Sequence, residues 1–256
     1  MRRLCLTLLI AVSTTAMAQA PGTQLTVDVT IKSLVLRGDT VGVTYTVFNR
    51  ATSRDSLFDF TVDAPAGVKI ISQPLPDTSY MVLDSYHGRP VADWGFLNLL
   101  IPSATSIPLY FESVGLPGIV TEWAGGDVPI VEESADTLPD DRLAVNSVQG
   151  KTVGVNPWPV DRTSKALIAR LRSLTQTSCA SPLTWITSAT LCTKLIGYLD
   201  QAESNRAAGK RTQAKAAMNS YITSLSGKTA GTFASGVTNP GYWLLKPNAD
   251  IINGIL

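Results

Sequence analysis

The rhythm of apolar residues changes once along this chain, near residue 160. Before that point apolar and polar residues alternate with a period of two, which is typical of strands that bury one face. After it, apolar residues recur three and four positions apart, which is typical of amphipathic helices. The sequence therefore predicts two domains, an all-β domain over 19–125 and an all-α domain over 161–256, joined by a linker over 126–160.

Residues 1–18 have the features of a secretory signal peptide. Arg2 and Arg3 supply a positive start, an apolar run follows from Leu4 to Val12, and Ala16-Met17-Ala18 matches a small-x-small cleavage site. The apolar run is about half of the ~20 residues that cross a bilayer. We therefore expect a secreted chain, extracellular or periplasmic, that begins at Gln19 and has no membrane span.

Removal of this leader leaves two of the three cysteines, Cys179 and Cys192. An even pair in an oxidising compartment predicts a structural disulfide. Closing so short a loop contributes about 3 kcal/mol by the chain-entropy estimate. A metal or thiol site lacks partners, because the one histidine, His87, lies in the β part and no Cys-x-x-Cys spacing occurs. We expect no metal and no cofactor.

Strand patterns follow one another through the β part. Three period-two runs begin at Leu25, Val41 and Phe58, the last continuing through Phe60 and Val62, and Arg37-Gly38-Asp39 supplies a turn after the first. Less regular β-branched and aromatic runs follow. They are Tyr80–Leu83, Val91–Phe96, Ile107–Phe111 and Ile119–Trp123. Seven or eight strands at a spacing of about ten residues indicate an antiparallel sandwich.

Two segments of this part carry a resemblance to a known class of domain. They are Val43-x-Tyr45-x-Val47-x-Asn49 and Phe58-x-Phe60-x-Val62-x-x-Pro65. The pattern resembles the immunoglobulin-like modules of bacterial extracellular and surface-layer proteins. The resemblance covers about 40 residues, and it implies an immunoglobulin-like β-sandwich.

The predicted linker is rich in Gly, Pro, Asp and Glu, and one irregular hairpin could lie around Val148 to Val155. Its clustered carboxylates, which include Glu132-Glu133 and Asp140-Asp141, could bind calcium. The spacing of a preformed calcium loop is absent, so a solvated linker is the favoured interpretation.

Three or four helices are expected after the linker. Leu167 to Leu174 mark the first, Leu191 to Ala202 the second, and Ala214 to Leu225 the third, whose apolar residues fall on one face. Pro247 is expected to open a short last helix. The disulfide would join the end of the first helix to the start of the second.

The helical region resembles the small FIMAH-type domain of secreted bacterial proteins over about 90 residues. The matching residues are Leu195, Tyr198-Leu199, Ala202, Gly209, Ala216, Met218, Tyr221-Ile222, Gly227-Lys228 and Ile251-Ile252. Tyr221 stands where that family usually has phenylalanine, and the segment from Thr229 to Lys246 is longer than usual. The resemblance implies a helical bundle and no enzymatic role.

Charge is unevenly divided between the two parts. Residues 21–160 carry 16 acidic and 8 basic side chains, and residues 161–256 carry 4 and 11. This asymmetry has three alternative interpretations. They are solvated faces of opposite sign, docking between the two parts, and recognition of acidic polymers or a membrane surface. The cations lack the aromatic interleaving of a nucleic-acid groove, so no nucleic-acid partner is expected.

The sequence also lacks the motifs of common enzyme sites. His87 is flanked by turn residues, and neither a Gly-x-Ser-x-Gly elbow nor a phosphate-binding loop occurs. We predict a non-catalytic interaction or adhesion module whose partner is a protein or polysaccharide of the cell exterior. A carbohydrate-binding accessory protein is the alternative, since Trp94, Trp123 and Trp158 could stack on sugars. A secreted hydrolase is a more distant alternative.

Overall fold

A computed structural model describes residues 25–71, 90–126, 147–229 and 232–256, together with the backbone of 18–19 and 78–81. The strands in this part are β1 (Ala18–Gln19), β2 (Val27–Arg37), β3 (Thr40–Asn49), β4 (Leu57–Asp63), β5 (Ile70–Ile71), β6 (Thr78–Met81), β7 (Val91–Leu100), β8 (Leu109–Val114), β9 (Leu116–Gly126) and β10 (Ser147–Asn156). The helices are α1 (Ser164–Cys179), α2 (Ala189–Ala207), α3 (Arg211–Leu225) and α4 (Asn239–Ile255).

The described strands form two antiparallel sheets. One has the order β1-β10-β9-β4-β7-β6, and the other has the order β2-β3-β8-β5. Strands β2 and β3 are joined by the two-residue turn Gly38-Asp39, in which Gly38 has a φ of 63°. Glycine at the first central position is what a type II′ hairpin turn requires.

An aromatic cluster joins the facing sides of the two sheets. Tyr45 of β3 stacks on Phe111 at a centroid distance of 6.2 Å, and it meets Phe60 of β4 edge-on at 5.7 Å. The Tyr45 hydroxyl also donates a 2.7 Å hydrogen bond to the carbonyl of Val153 in β10. The period-two runs of the sequence therefore contribute to one interior between the sheets, and the predicted antiparallel β part is confirmed.

The prediction of a linker over 126–160 is wrong for the residues that form strands, which are Gly126 and Ser147–Asn156. Gly126 ends β9, and every residue of β10 pairs with β9, from Ser147 opposite Gly125 to Asn156 opposite Leu116. Strand β10 lacks clean alternation because its residues from 152 to 155 are all buried. A strand covered on both faces carries no polar row, so the periodicity test fails on it. Residues 127–146, with the acidic pairs of the predicted linker, lie outside the described residues.

The described helices number four, and most begin at a capping side chain. The hydroxyls of Thr163, Ser188 and Thr238 each accept a hydrogen bond from an amide of the first turn of α1, α2 and α4. The last helix is longer than predicted. Pro247 lies inside α4 instead of opening it, and Pro240 occupies the first turn. Proline suits that turn because its missing N–H would have no helical partner there.

Trp185, in the connection between α1 and α2, is fully buried. Helix α4 approaches this residue so closely that a β-carbon on Gly241 would lie 2.7 Å from the Trp185 carbonyl oxygen. The apolar face predicted for the third helix is buried at Met218 and Tyr221, whereas Ile222 is half-buried. That face is therefore mainly part of the protein core.

Helix α4 also contacts β2, β9 and β10. Strand β2 is an edge strand with a bulge between Ile31 and Ser33. There the side chain of Asn239 accepts a 2.9 Å hydrogen bond from the Ile31 amide and donates one of 2.9 Å to the Ile31 carbonyl. The first residue of α4 thus pairs with the free edge of β2 as a strand would.

A second polar contact fixes the middle of α4. The carbonyl of Pro117, at the start of β9, accepts hydrogen bonds from Arg170 at 2.9 Å and from Asn248 at 3.0 Å. Arg170 also donates to the Asn248 side chain at 2.6 Å. Burial lowers the pKa of Arg170 to about 10. Helices α1 and α4 are therefore held to the same point of the sheet by hydrogen bonds to one carbonyl.

We expect Asn239→Ala to lower the free energy of unfolding by about 1–3 kcal/mol, because it leaves both polar groups of Ile31 without their partner. Urea unfolding of the whole chain measures this change. Gln213→Ala, at an exposed position of α3, is the control and should change stability by less than about 0.5 kcal/mol. Equal stability of both variants would contradict the role given to Asn239.

Candidate binding surfaces

The predicted disulfide is confirmed. Cys179 ends α1 and Cys192 lies in the first turn of α2, with their α-carbons 6.1 Å apart. Beside it lies an open groove of about 530 Å³ between these two helices. Ile196 and Gly197 line the groove, and Asp200 at its rim forms an ion pair with Arg172. The disulfide therefore fixes one wall of this groove and pins the connection between the helices.

The tryptophans considered for sugar binding do not form an exposed row. Trp94 is buried and stacks on Phe60 at 5.9 Å. Trp158 is half-buried, donates to the Asp39 carbonyl at 3.1 Å and lies under the guanidinium of Arg162 at 4.7 Å. Trp123 is half-buried in β9. His87 lies outside the described residues.

A backbone irregularity in β4 was not predicted from the sequence. Leu57 pairs with Gly126 and Asp59 with Gly125, which leaves Phe58 between them without a partner on β9. On its other side β4 pairs with β7, where Leu57 lies opposite Leu100 and Asp59 lies opposite Gly95. Four residues of β7, 96–99, therefore stand opposite Phe58 alone.

This bulge changes the direction of one aromatic side chain. The alternation Phe58, Phe60, Val62 predicts three core residues, yet Phe58 is 44% exposed while Phe60 and Val62 are buried. The prediction is wrong for Phe58 because the bulge adds one residue to β4. The side chains on its two sides then no longer alternate in one regular series. Gly125-Gly126 on the neighbouring strand was the available signal, since glycine within a strand often marks a bulge.

The loop after β7 exposes a second apolar side chain, one position beyond the residue that pairs with Leu57. Ile101 follows Leu100, the partner of Leu57, and is 62% exposed. The buried Asn49 holds this loop through two hydrogen bonds. Its side chain donates to the Leu100 carbonyl at 2.7 Å, and its main-chain N–H donates to the Ala104 carbonyl at 3.0 Å. Ser103, with a φ of 74°, donates to the Asn49 carbonyl at 2.8 Å. The loop is therefore fixed in the shape that exposes Ile101.

We call Phe58, Leu99 and Ile101 the bulge surface, whereas Leu100 packs against the core. The polar residues that flank it along the chain, Asn98, Ser103 and Thr105, are exposed. Exposed apolar patches with polar rims are typical of sites for protein association. The surface contains one aromatic ring and two aliphatic side chains, so it offers little stacking area to a sugar.

Two carboxyl groups lie buried on the strands next to this surface. Asp59 accepts a hydrogen bond from the Gly125 amide at 2.8 Å, and Asp93 accepts one from the Thr61 hydroxyl at 2.6 Å. Burial, together with the charge of Asp93, raises the pKa of Asp59 to about 7. Burial also raises the pKa of Asp93 to about 6. Both carboxyl groups therefore accept hydrogen bonds within the protein, one from a main-chain N–H and one from a hydroxyl.

A third carboxyl group, Glu122 of β9, is fully buried. It lies opposite Val62, a core residue, and accepts a hydrogen bond from Thr152. Its Oε2 atom has no hydrogen-bond partner in the described part of the chain. Burial raises the pKa of Glu122 to about 8. Burial also raises the pKa of Tyr45 well above its usual value, and the negative charge of Glu122 adds to that rise.

We therefore expect the protein to lose stability as pH rises from about 4.5 towards 8. An acid whose pKa is higher in the folded state stabilises fully below its unfolded pKa and loses that contribution as pH passes through the folded pKa. For Glu122, with values of 4.5 unfolded and about 8 folded, the loss is on the order of a few kcal/mol. Asp59 and Asp93 act in the same direction at lower pH.

Melting curves across this range provide the measurement. Glu122→Gln should flatten the profile above pH 6 and raise the Tm near pH 8.5, because glutamine stays neutral. Glu203→Gln is the control. Arg206 lowers the pKa of Glu203, and removing the charge of Glu203 leaves the core unchanged. The same slope in the wild type and Glu122→Gln would contradict this account.

No group of three or more His, Cys, Asp or Glu side chains in the described residues is placed to hold a metal ion. None of the helices described has the length and apolar character that crossing a bilayer requires.

Comparison with solved structures finds 11 similar chains. Neither protein-family models nor curated proteins match the chain. A solved structure of an uncharacterized protein from Nocardia farcinica, described as having an immunoglobulin-like fold, is similar with 13% identity and a TM-score of 0.30. The match covers 48% of this chain and 95% of that one. The resemblance to the FIMAH-type domain stays a prediction.

Proposed function

We propose that this chain is a secreted, non-catalytic module of the bacterial cell exterior that binds a protein partner through the bulge surface. The observation that carries the proposal is the exposure of Phe58 on a bulge and of Ile101 on a fixed loop, each next in the chain to one member of the pair Leu57 and Leu100. An immunoglobulin-like sandwich and a disulfide-pinned helical bundle as two domains are part of the proposal. The signal-peptide features of residues 1–18 in the sequence support secretion.

The shape of the bulge surface favours a protein over a polysaccharide. Sugar-binding surfaces present aromatic rings for stacking, whereas Trp94 is buried and Trp158 is engaged by Asp39 and Arg162. The bulge surface has Phe58 as its one aromatic ring, and Ile101 adds an aliphatic side chain. Aromatic and aliphatic anchors of this kind contribute most of the binding energy at protein interfaces.

The proposal assigns the buried carboxyl groups a structural role. Asp59 bonds to the amide that the bulge leaves without a strand partner, and Asp93 bonds to Thr61. Both carboxyl groups are buried, so a substrate would have to displace groups that already satisfy them. A hydrolytic role for this pair is therefore the less favoured alternative.

The test places a photo-reactive benzoylphenylalanine at position 58 of the full chain and irradiates it in the extracellular and periplasmic fractions. We expect one covalent protein adduct, suppressed by excess unlabelled wild type but not by excess Ile101→Asp. Position 101 is exposed, so this competitor should keep its stability within about 0.5 kcal/mol.

The control carries the same photo-reactive group at Lys69, an exposed position of the β part away from the bulge. It should give no adduct that wild type suppresses. The proposal fails if both positions give the same adducts, or if Ile101→Asp competes as well as wild type. Binding of the chain to a polysaccharide that Phe58→Ser abolishes would establish the carbohydrate alternative instead.

A further inference from the structure

Positive charge collects at one end of the helical part, far along the chain from the bulge surface. Helices α1 and α3 begin at this end, while α2 and α4 finish there, as the 3.1 Å hydrogen bond from Arg211 of α3 to the Ile255 carbonyl of α4 shows. We call this end the basic end. Its cations are Arg162, Lys165, Arg206, Lys210, Arg211 and Lys215.

Few acidic groups balance these cations. Glu203 forms an ion pair with Arg206 at 2.7 Å, and the charges of Lys165 and Arg172 also lower its pKa. Asp161 accepts a hydrogen bond from the Thr163 amide at 2.8 Å. The remaining cations at this end keep exposed charge, above all Lys165 and Lys210.

The start of α3 places its cations where they disfavour the helix. Lys210 precedes its first residue without a side-chain cap, Arg211 is that first residue, and no acidic residue lies in the first turn. Positive side chains beside a helix N-terminus oppose its dipole, at a cost of about 0.3–1 kcal/mol each. The bond to the Ile255 carbonyl at the end of α4 accounts for Arg211, but the folding of α3 does not account for a cation at position 210.

Exposed apolar side chains accompany this charge. Ile255 is 44% exposed at the end of α4, and Val160 is 106% exposed shortly before α1. Trp158, which lies under Arg162, adds a half-buried aromatic ring next to Val160. Acidic polymers in water would interact with the cations alone. A bilayer interface takes up both kinds of group, since apolar side chains insert among lipids while Lys and Arg meet anionic headgroups.

We infer that the basic end is a peripheral attachment site for an anionic lipid surface, with Lys165, Lys210 and Arg211 facing the headgroups and Val160 and Ile255 entering the interface. This site is independent of the partner proposed for the bulge surface. It would hold the chain on a membrane without a span and leave the bulge surface, beyond the opposite end of β9, free for its partner.

The test is sedimentation of the full chain with vesicles of phosphatidylcholine containing about 30% phosphatidylglycerol, which carry the anionic surface that basic segments recognise. We expect binding to these vesicles, none to phosphatidylcholine alone, and weakening between about 50 and 500 mM salt because the attraction is screened. The double variant Lys165→Glu/Lys210→Glu should bind at least about tenfold more weakly. Glutamate at these helix starts favours the dipole, so loss of binding would not arise from unfolding.

The matched control is Lys32→Glu/Lys69→Glu, which changes net charge equally at exposed positions of the β part and should bind as wild type does. A second variant, Val160→Ser, should weaken binding without changing its salt dependence. The inference is overturned if wild type ignores the anionic vesicles, or if both double variants bind equally. It is also overturned if wild type binds soluble heparin but no vesicles, since that result assigns the basic end to acidic polymers.

Discussion

The arrangement of this protein depends on how helix α4 meets the sheets. At its first residue, Asn239 supplies a donor and an acceptor to the free edge of β2. Further along α4, Asn248 bonds to the Pro117 carbonyl at the start of β9, which also accepts a hydrogen bond from Arg170 of α1. An uncovered edge strand exposes unpaired backbone groups, and α4 covers one here. Because the other helices pack on α4 or on its neighbours, these contacts orient the whole helical part.

The sequence predicted the elements well where one face of each is buried. Alternation through Val43, Tyr45 and Val47 identified β3, and helical spacing around Met218 and Tyr221 identified α3. The cysteine pair was predictable because compartment and count leave one pairing. These features depend on local pattern, which is visible without knowledge of the neighbours.

Features that depend on distant neighbours were not predictable in this way. Strand β10 lost its alternation because helices and sheet cover both of its faces, so it resembled a linker. Phe58 left the core because the pairing of β4 with β7 and β9 contains extra residues. The roles of Asn239 and Asn248 follow from contacts with residues more than 100 positions away. The candidate binding surface therefore emerged from the pairing register and not from composition.

The two proposed surfaces lie beyond opposite ends of the same strand. The bulge surface adjoins Gly126 at the end of β9, while the helices dock at Pro117 near its start. If α4 is fixed to the sheets, a chain attached to a surface through its helices would hold Phe58 and Ile101 at a constant distance from that surface. The fixed contact of α4 is thus the feature that connects the two proposals.

Hydrogen exchange of the whole chain in increasing denaturant tests this contact most directly. The account predicts that amides of α4 and of strands β2 and β9 lose their protection together, in one transition with the same midpoint, because buried hydrogen bonds join them. Asn239→Ala should move that midpoint for the helix and the strands alike. Exchange of α4 at clearly lower denaturant, while β2 and β9 stay protected, would contradict the account.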